Sequence, residues 1–258
     1  VGFVAEIGER LVGCGFMTFS PTREFAEKGN FWISVSATHL RQGIGSQILV
    51  RLMEAARALG VREMESLRSL ESPSCACDFL RDRGFEESQR LHTWECEIGR
   101  AVAIFSTVFA RLHRQGKVPP DARIIPLSEA PLDQVRELVA SNMGFAEQMV
   151  GRMLEVGEHG YSRTFSKVAM HGERLVGASL ATYQKAFVTT EANAVIPEYR
   201  NSWVSIALKD ALARSQQERG IPRTRFLCNP ALHPDTEKTA RRLDGRLVSV
   251  RLNFRLKL

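Results

Sequence analysis

The hydrophobic positions of this chain fall into two alternating spacings, one typical of strands and one typical of helices. Apolar runs of strand length extend from Phe3 to Ile7, from Leu11 to Phe19 and from Phe31 to Val35, and the polar stretch 20–30 between them predicts a loop. After Val35 the apolar positions take helical spacing: Ile44, Ile48, Leu52, Ala55 and Leu59. Gly60 follows where a helix C-cap is expected. The pattern predicts a hairpin and a third strand that lead into one long amphipathic helix.

Shorter elements complete the first half of the chain. The range from Glu63 to Leu70 alternates as a strand does. Ser72 and Pro73 suit the N-cap and first position of a short helix that runs to Arg83. A closing strand is predicted from Arg90 to Ile98.

The second half begins with a helix from Ala101 to Arg114 and a linker from Gly116 to Asp121, which contains two adjacent prolines. A further series of elements follows: a strand near Ile124 and Ile125, helices near 132–142 and 146–156, and strands near 164–170, 175–183 and 187–196. Strands and helices therefore mix throughout, which predicts an α/β fold of the α+β kind, with mixed sheets.

A six-residue repeat relates the two halves. The sequence from Gly8 to Gly13 recurs letter for letter from Gly172 to Gly177, and the same order of elements follows each copy. Gly43 and Gly84 are 41 positions apart, as are Trp203 and Asp244, while Gly60 and Gly220 are 160 apart, as are Gly43 and Trp203. The repeat predicts two tandem copies of one fold.

The two copies differ in what precedes the repeated hexamer. About fifty residues separate the linker from the second hexamer, enough for a strand and two helices, whereas seven residues precede the first. We expect a first domain over residues 1–99, a connecting helix and linker over 100–121, and a second domain over 122–258. The first copy either lacks its N-terminal segment upstream of Val1, which we favour, or is a genuinely short version of the fold.

The stretch from His39 to Ser46 contains the clearest chemical signal. Two glycines, Gly43 and Gly45, lie where the third strand turns into the long helix. The free amides of a helix N-terminus favour an anion, above all a diphosphate, and glycine lets it approach the backbone. The same spacing also occurs in plain tight turns, so the surrounding elements have to decide.

Composition narrows the function classes. The chain has 258 residues, 44% of them hydrophobic and 25% charged, with a net charge of +6 and a pI near 9.3. Its basic residues are scattered, with no run of five, which favours a solvated surface and argues against nucleic acid. No apolar run approaches the roughly 20 residues that span a bilayer, so we expect no membrane segment.

The cysteines argue against metal binding. There are five, an odd number, and Cys75 and Cys77 form the one close pair, without the usual zinc spacing or a neighbouring histidine. We expect reduced thiols in a cytoplasmic protein without a metal site.

The strand, the Arg-Gln-Gly-Ile-Gly-Ser corner, the long helix, the next strand, the short helix and Gly84-Phe85 together resemble the GNAT superfamily of acyl-CoA-dependent N-acyltransferases. In the family motif Arg/Gln-x-x-Gly-x-Gly/Ala, Gly43 and Gly45 match, but the leading position falls on Leu40. In the second copy Arg200 matches the leading position, while Trp203 and Ser205 replace the glycines. The resemblance implies one working cofactor site in the first copy and a degenerate second copy, whose indole should obstruct a diphosphate.

The resemblance also implies the residues that bind acetyl-CoA or CoA. The backbone amide of Val35 would polarise the thioester carbonyl, and the corner would hold the diphosphate. The predicted cofactor-binding residues are Val35, Leu40, Arg41, Gln42, Gly43, Ile44, Gly45 and Ser46.

Catalytic residues stay unassigned. A general base or a water chain is needed to take the amine proton. The candidate bases are Glu63, Glu65, His39 and Glu191, and each also has an ordinary structural explanation. The sequence places no histidine or aspartate beside Cys75 that would make it a nucleophile. The family often has a tyrosine as general acid four residues before the closing Gly-Phe, and this chain has Leu80 there.

We therefore expect an N-acyltransferase that moves an acyl group, in the first instance acetyl, to a primary amine of a small molecule or peptide, with the second copy helping to shape the acceptor cleft. Two alternatives stay open: a coenzyme-A-binding sensor without turnover, and a structural interaction module on the same fold. The sequence identifies neither the acceptor nor the oligomeric state.

Overall fold

The computed structural model describes residues 1–19, 27–143, 147–155, 160–184 and 186–258. Contacts divide the chain into two compact units, which we call the first unit (Val1–Leu91 with Ser249–Leu258) and the second unit (His92–Val248). Most of the predicted loop 20–30 lies outside the described residues, as do the first and last residues of the helix predicted over 146–156.

The first unit is a mixed sheet with one long helix. Its elements are β1 (Gly2–Ile7), β2 (Arg10–Phe19), β3 (Lys28–Val35), a 3-10 turn (Ala37–His39), α1 (Ile44–Ala58), β4 (Glu63–Ser66), β5 (Leu70–Ser72), α2 (Cys75–Arg81) and the start of β6 (Glu86–Glu97). The strands β1, β2 and β3 pair antiparallel, and β3 pairs parallel with β4. The end of β12 (Arg246–Lys257) pairs antiparallel with β4 and β5.

The second unit repeats this plan with more helices. It contains the end of β6, α3 (Ile98–Arg114), β7 (Ala122–Pro126), α4 (Leu132–Met143), α5 (Glu147–Glu155), β8 (Lys167–His171), β9 (Arg174–Gln184), β10 (Phe187–Val195), α6 (Trp203–Gln217), β11 (Arg223–Cys228) and α7 (Pro234–Arg242). The strands β7 to β10 pair antiparallel in chain order, β10 pairs parallel with β11, and β11 pairs antiparallel with β6. The predicted mixed α/β fold is confirmed.

The repeated hexamer makes the same turn in both units. Gly8 links β1 to β2 with φ +61°, and Gly172 links β8 to β9 with φ +58°. A positive φ is the conformation that glycine adopts without strain, so the two copies share a backbone reason for their first glycine.

The last glycine of the hexamer packs against the long helix in both units. A Cβ on Gly13 would lie 3.1 Å from Ile44, and one on Gly177 would lie 2.6 Å from Val204. The two helix residues are 160 positions apart, as Gly60 and Gly220 are at the ends of the two long helices. Matching positions of the two helices therefore make the same close contact. The tandem arrangement predicted from the repeat is confirmed.

The core of the first unit includes the end of the chain. Leu49 and Leu52 of α1 are buried, and Leu252 and Phe254 of β12 are fully buried in the same cluster. This grouping by contacts differs from the predicted domain bounds at both ends. Those bounds describe copies along the sequence and stay a prediction.

Several predicted boundaries need correction. Ser74, not Ser72, caps α2, since its hydroxyl accepts a hydrogen bond from the amide of Cys77. Ser72 is instead the last residue of β5, where it pairs with Val250. The single strand predicted from Glu63 to Leu70 is divided between β4 and β5, and β3 begins at Lys28 inside the predicted loop.

No helix among the described residues is long and apolar enough to cross a lipid bilayer.

A charged network organises the second unit's sheet around Glu95 of β6. Its carboxylate, 5% exposed, accepts two hydrogen bonds from Arg225 at 2.9 and 2.7 Å, one from Arg246 at 3.1 Å and one from Arg223 at 3.2 Å. Burial by itself raises the pKa of Glu95, but the hydrogen bonds from Arg225 and Arg246 and the arginine charges outweigh it and lower that pKa. The ionised carboxylate therefore stabilises the fold.

Glu95→Gln should lower the free energy of unfolding by about 1–3 kcal/mol at pH 7, because the arginines lose a charged acceptor. The folded pKa lies below the ordinary value of 4.5, so this contribution is present above pH 4.5 and is lost as the pH falls through the folded pKa. Denaturant unfolding between pH 3 and 7 measures it. Glu97→Gln, at an exposed carboxylate with one arginine partner, should cost much less. A Glu95→Gln penalty that did not shrink in acid would contradict this account.

Candidate functional site

A cavity of about 770 Å³ opens in the first unit between the ends of β3 and β4. Its lining comes from β3 (31–35), from the corner that precedes α1 (39–46), from β4 and β5, and from α2 and the turn that follows it. This volume lies within the range of about 300–1,000 Å³ that small-molecule and cofactor sites occupy.

The cavity exists because β3 and β4 separate. They pair over four positions, from Lys28 opposite Glu63 to Phe31 opposite Ser66, and the amide of Leu67 then donates to the carbonyl of Phe31 at 2.8 Å. Backbone groups of a strand point alternately to its two neighbours, so the N–H groups of Ile33 and Val35 face the gap where β4 has left. Unpaired strand amides therefore line the cavity.

The corner before α1 presents further free amides. Gly43 is the N-cap with φ +82°, no side chain caps the helix, and Arg41 also has a positive φ of +60°. Among the described residues, none of the amides of 41–46 donates to a backbone carbonyl. Since the helix dipole adds positive potential at the same end, the corner is suited to an anion.

Glycine is favoured at Gly43 and at Gly45 for different physical reasons. At Gly43 an ideal Cβ would meet no described atom within 4 Å, so the backbone conformation, not crowding, favours glycine there. At Gly45 a Cβ would touch the ring of Phe79 at an ordinary 3.5 Å. Crowding by the protein therefore explains glycine at neither position. A ligand that approaches the backbone closely would need the absence of a side chain at both.

Arginine side chains give the cavity a positive lining. The Arg83 guanidinium donates to the hydroxyl of Ser46 and to the carbonyl of Phe79 at 2.9 Å, and it stacks 3.9 Å from the centre of the Phe79 ring. Arg41 and Arg68 also line the cavity. None of these three arginines forms an ion pair with a carboxylate of the described residues, so their charge is available to a ligand.

Sequence reasoning missed Phe79, Arg83 and Arg68. The i, i+4 spacing of Phe79 and Arg83 near the end of a short helix was a readable signal for a side-chain pair. No pattern along the chain indicated that this pair would meet Ser46, which is 37 residues away.

The structure places six of the eight predicted cofactor-binding residues in the cavity lining: Val35, Leu40, Arg41, Gly43, Gly45 and Ser46. The other two side chains turn elsewhere. Gln42 reaches the carbonyl of Thr38 at 3.5 Å, and Ile44 packs against the core cluster under the sheet. The backbone amides of both residues still belong to the corner. That these residues bind a cofactor stays a prediction.

The candidate bases are dispersed. Glu63 pairs with Lys28 at 3.1 Å, and Glu65 accepts a hydrogen bond from Ser88 at 2.6 Å. Glu191 lies in the second unit. Of the four, His39 lines this cavity, and its Nδ1 is 2.9 Å from the hydroxyl of Thr38.

Two further positions bear on catalysis. Leu80, where the family often has a tyrosine, is 4% exposed and packs in the core, so it offers no hydroxyl. Cys75 is exposed and lines the cavity at the start of α2. The described residues contain no group of three or more histidine, cysteine, aspartate or glutamate side chains that would hold a metal ion.

The corresponding corner of the second unit is capped. The hydroxyl of Ser202 accepts from the amide of Val204, and the amide of Ser202 itself donates to the carbonyl of Tyr199 at 3.3 Å. The indole of Trp203 is 3% exposed and packs in the core with Ala207 and Leu208. The expected obstruction of a diphosphate by this indole stays a prediction. The second corner differs because the amides of Ser202 and Val204 already have acceptors.

Comparison with protein families agrees with this geometry. Residues 1–87 match the model described as "Acetyltransferase (GNAT) domain". No curated protein sequence matches the chain.

Solved structures of the same fold cover nearly the whole chain. A tandem GNAT protein from the clavulanic acid biosynthesis pathway has a TM-score of 0.67 at 17% identity, over 99% of this chain and 82% of that one. A GCN5-related N-acetyltransferase from Sphaerobacter thermophilus has a TM-score of 0.62 at 11% identity, over 96% and 78%. A protein described as an acetyltransferase from Pyrococcus horikoshii has a TM-score of 0.55 at 14% identity, over 100% and 73%. At such identities these likenesses establish the fold.

Alanine at the two glycines should change stability in opposite directions. Gly43→Ala should cost about 1–2 kcal/mol, because an L residue is strained at a positive φ. Gly45→Ala lies inside α1 and should gain about 0.5–1 kcal/mol, because alanine loses less conformational freedom in a helix. Denaturant unfolding of the ligand-free protein gives both values. Equal changes in the two variants would contradict the conformation assigned to Gly43.

Proposed function

We propose that this chain, whose first 87 residues match a GNAT acetyltransferase domain, transfers an acetyl group from acetyl-CoA to a primary amine of a small molecule or peptide. The observation that carries the proposal is the cavity of the first unit, where the unpaired amides of the separated strand β3 and of the α1 corner face the same space.

The residues present fit the coenzyme. The amides of residues 41–46 would hold its diphosphate at the positive end of the α1 dipole. Arg41, Arg68 and Arg83 supply positive charge around the same cavity for its phosphate groups. The gap beyond Phe31 leaves Val35 with a free N–H directed into the cavity, in the place where a thioester carbonyl would have to lie.

Acetyl-CoA supplies an activated acyl group as a thioester. The chain's contribution is to hold and polarise it, and the N–H of Val35 is the donor that we assign to the carbonyl oxygen. The attacking amine has to be neutral, so its proton must go to water or to a nearby base, and His39 is the candidate base in the cavity. No side-chain hydroxyl stands at Leu80 to protonate the thiolate, which is a fair leaving group without such help.

Two other functions remain candidates. Leucine at positions 40 and 80 removes two side chains that the family often uses, which would suit a protein that binds coenzyme A as a signal without turnover. A structural interaction module on the same fold would need neither binding nor turnover.

Acetyl-CoA binding should depend on Gly43. Isothermal titration calorimetry should give saturable binding to the wild type and an affinity at least about 100-fold weaker for Gly43→Trp, because an indole there would hold the diphosphate away from the amides. Ser202→Trp places the same side chain at the N-cap of the equivalent helix in the second unit and should leave the affinity unchanged.

Equal affinity for the wild type and Gly43→Trp would place the site elsewhere. A loss in Ser202→Trp with none in Gly43→Trp would mean that the second copy is the working one. Absence of binding to the wild type would favour the structural module.

Turnover should separate an enzyme from a sensor. Incubation with acetyl-CoA and a panel of primary amines, with free thiol as the readout, should give amine-dependent release of coenzyme A in the wild type and none in Gly43→Trp. Tight binding with no thiol release on any amine would favour the sensor.

A further inference from the structure

The second unit has a cavity of its own. It measures about 130 Å³ and lies between β10, β11, α6 and α7. Unlike the first cavity, its lining includes none of the residues 197–205 at the helix corner. Coenzyme A is too large for this space. An apolar cavity of about 150 Å³ accommodates benzene, so the volume suits a molecule of about six to eight non-hydrogen atoms.

Lys209 of α6 faces this cavity. It stands 160 positions after Leu49, which packs in the core of the first unit, so the second copy has a cation where the first has an apolar core residue. Among the residues that the structure describes, Lys209 makes no hydrogen bond or ion pair, and the carboxylate of Asp235 pairs with Lys238 at 3.2 Å. Burial lowers the pKa of Lys209, and the charge of Asp235 opposes this. Lys209 is half-buried, and a ligand carboxylate in the cavity would give its ammonium a partner and favour its charged form.

Two acceptors line the same cavity. Asn193, which replaces Ile33 of the first copy, donates to the hydroxyl of Ser205 at 3.2 Å, while its Oδ1 is buried without a partner among the described residues. Glu191 lies beside an irregularity in the pairing of β10 and accepts one hydrogen bond, from Thr182 at 2.8 Å. Such irregularities often re-aim a side chain at a site. A ligand with N–H donors would satisfy both groups.

We propose that the cavity of the second unit binds a small amino acid in its zwitterionic form. Its carboxylate would pair with Lys209, and its ammonium would donate to Asn193 Oδ1 and to Glu191. A simple anion such as phosphate fits less well, because it would meet the Glu191 carboxylate and leave the Asn193 carbonyl unpaired. The degenerate copy has thus exchanged a coenzyme site for a small polar one.

Calorimetry and thermal shift on the full chain would test this with glycine, β-alanine and L-serine as ligands. Propionate and ethylamine serve as comparators that carry only the carboxylate or only the amine. At least one amino acid should bind saturably, and each comparator should bind about tenfold more weakly or worse, since it loses one charged contact. Lys209→Met should weaken amino-acid binding about tenfold or more, and Glu191→Gln should weaken it while leaving propionate binding unchanged.

Control variants distinguish a specific loss of amino-acid binding from loss of the fold and from loss of the coenzyme site. Lys238→Met, at an exposed lysine of α7 that pairs with Asp235 at 3.2 Å, should bind amino acids as the wild type does. Lys209→Met should raise the melting temperature of the ligand-free protein, since it removes an unpaired cation. Gly43→Trp should keep amino-acid binding, so failure of the coenzyme site would not affect this result. No saturable binding of any panel amino acid, or equal binding to the wild type and Lys209→Met, would overturn the proposal.

Discussion

The separation of two parallel strands is the constraint on which the first unit depends. β3 and β4 hydrogen-bond over four residue pairs and then diverge, so the strand amides beyond Phe31 lose their neighbour. Backbone donors without a partner are costly when enclosed, and a fold retains them where a ligand can complete the bonding. The uncapped N-terminus of α1 adds donors to the same cavity.

The second unit keeps the separation and changes what surrounds it. β10 and β11 pair over three positions and part in the same way. Here Ser202 caps the long helix, and the cavity contains a lysine and an asparagine at positions that are apolar in the first copy. The two gaps therefore differ in their side chains, because the backbone creates the gap while side chains decide what fits it.

Local sequence pattern predicted most helices and strands. Where a predicted boundary was wrong, the cause is a tertiary contact. The helix of α1 and its end before Gly60 follow from apolar spacing and a glycine that adopts a positive φ. The start of α2 was misplaced because Ser72 and Ser74 are equally good caps in sequence, and only the pairing of Ser72 with Val250 of β12 decides between them. A strand partner 178 residues away leaves no local trace.

The sequence by itself determined the tandem repeat, the mixed α/β fold and the glycine corner, because these depend on spacing and on residues with special backbone freedom. Tertiary structure alone decided that the end of the chain completes the first unit's core, that Arg83 reaches Ser46, and that Trp203 packs against Ala207 and Leu208. Each of these depends on which distant surfaces meet. Hydrophobicity favours burial of a side chain but does not specify the partner against which it is buried.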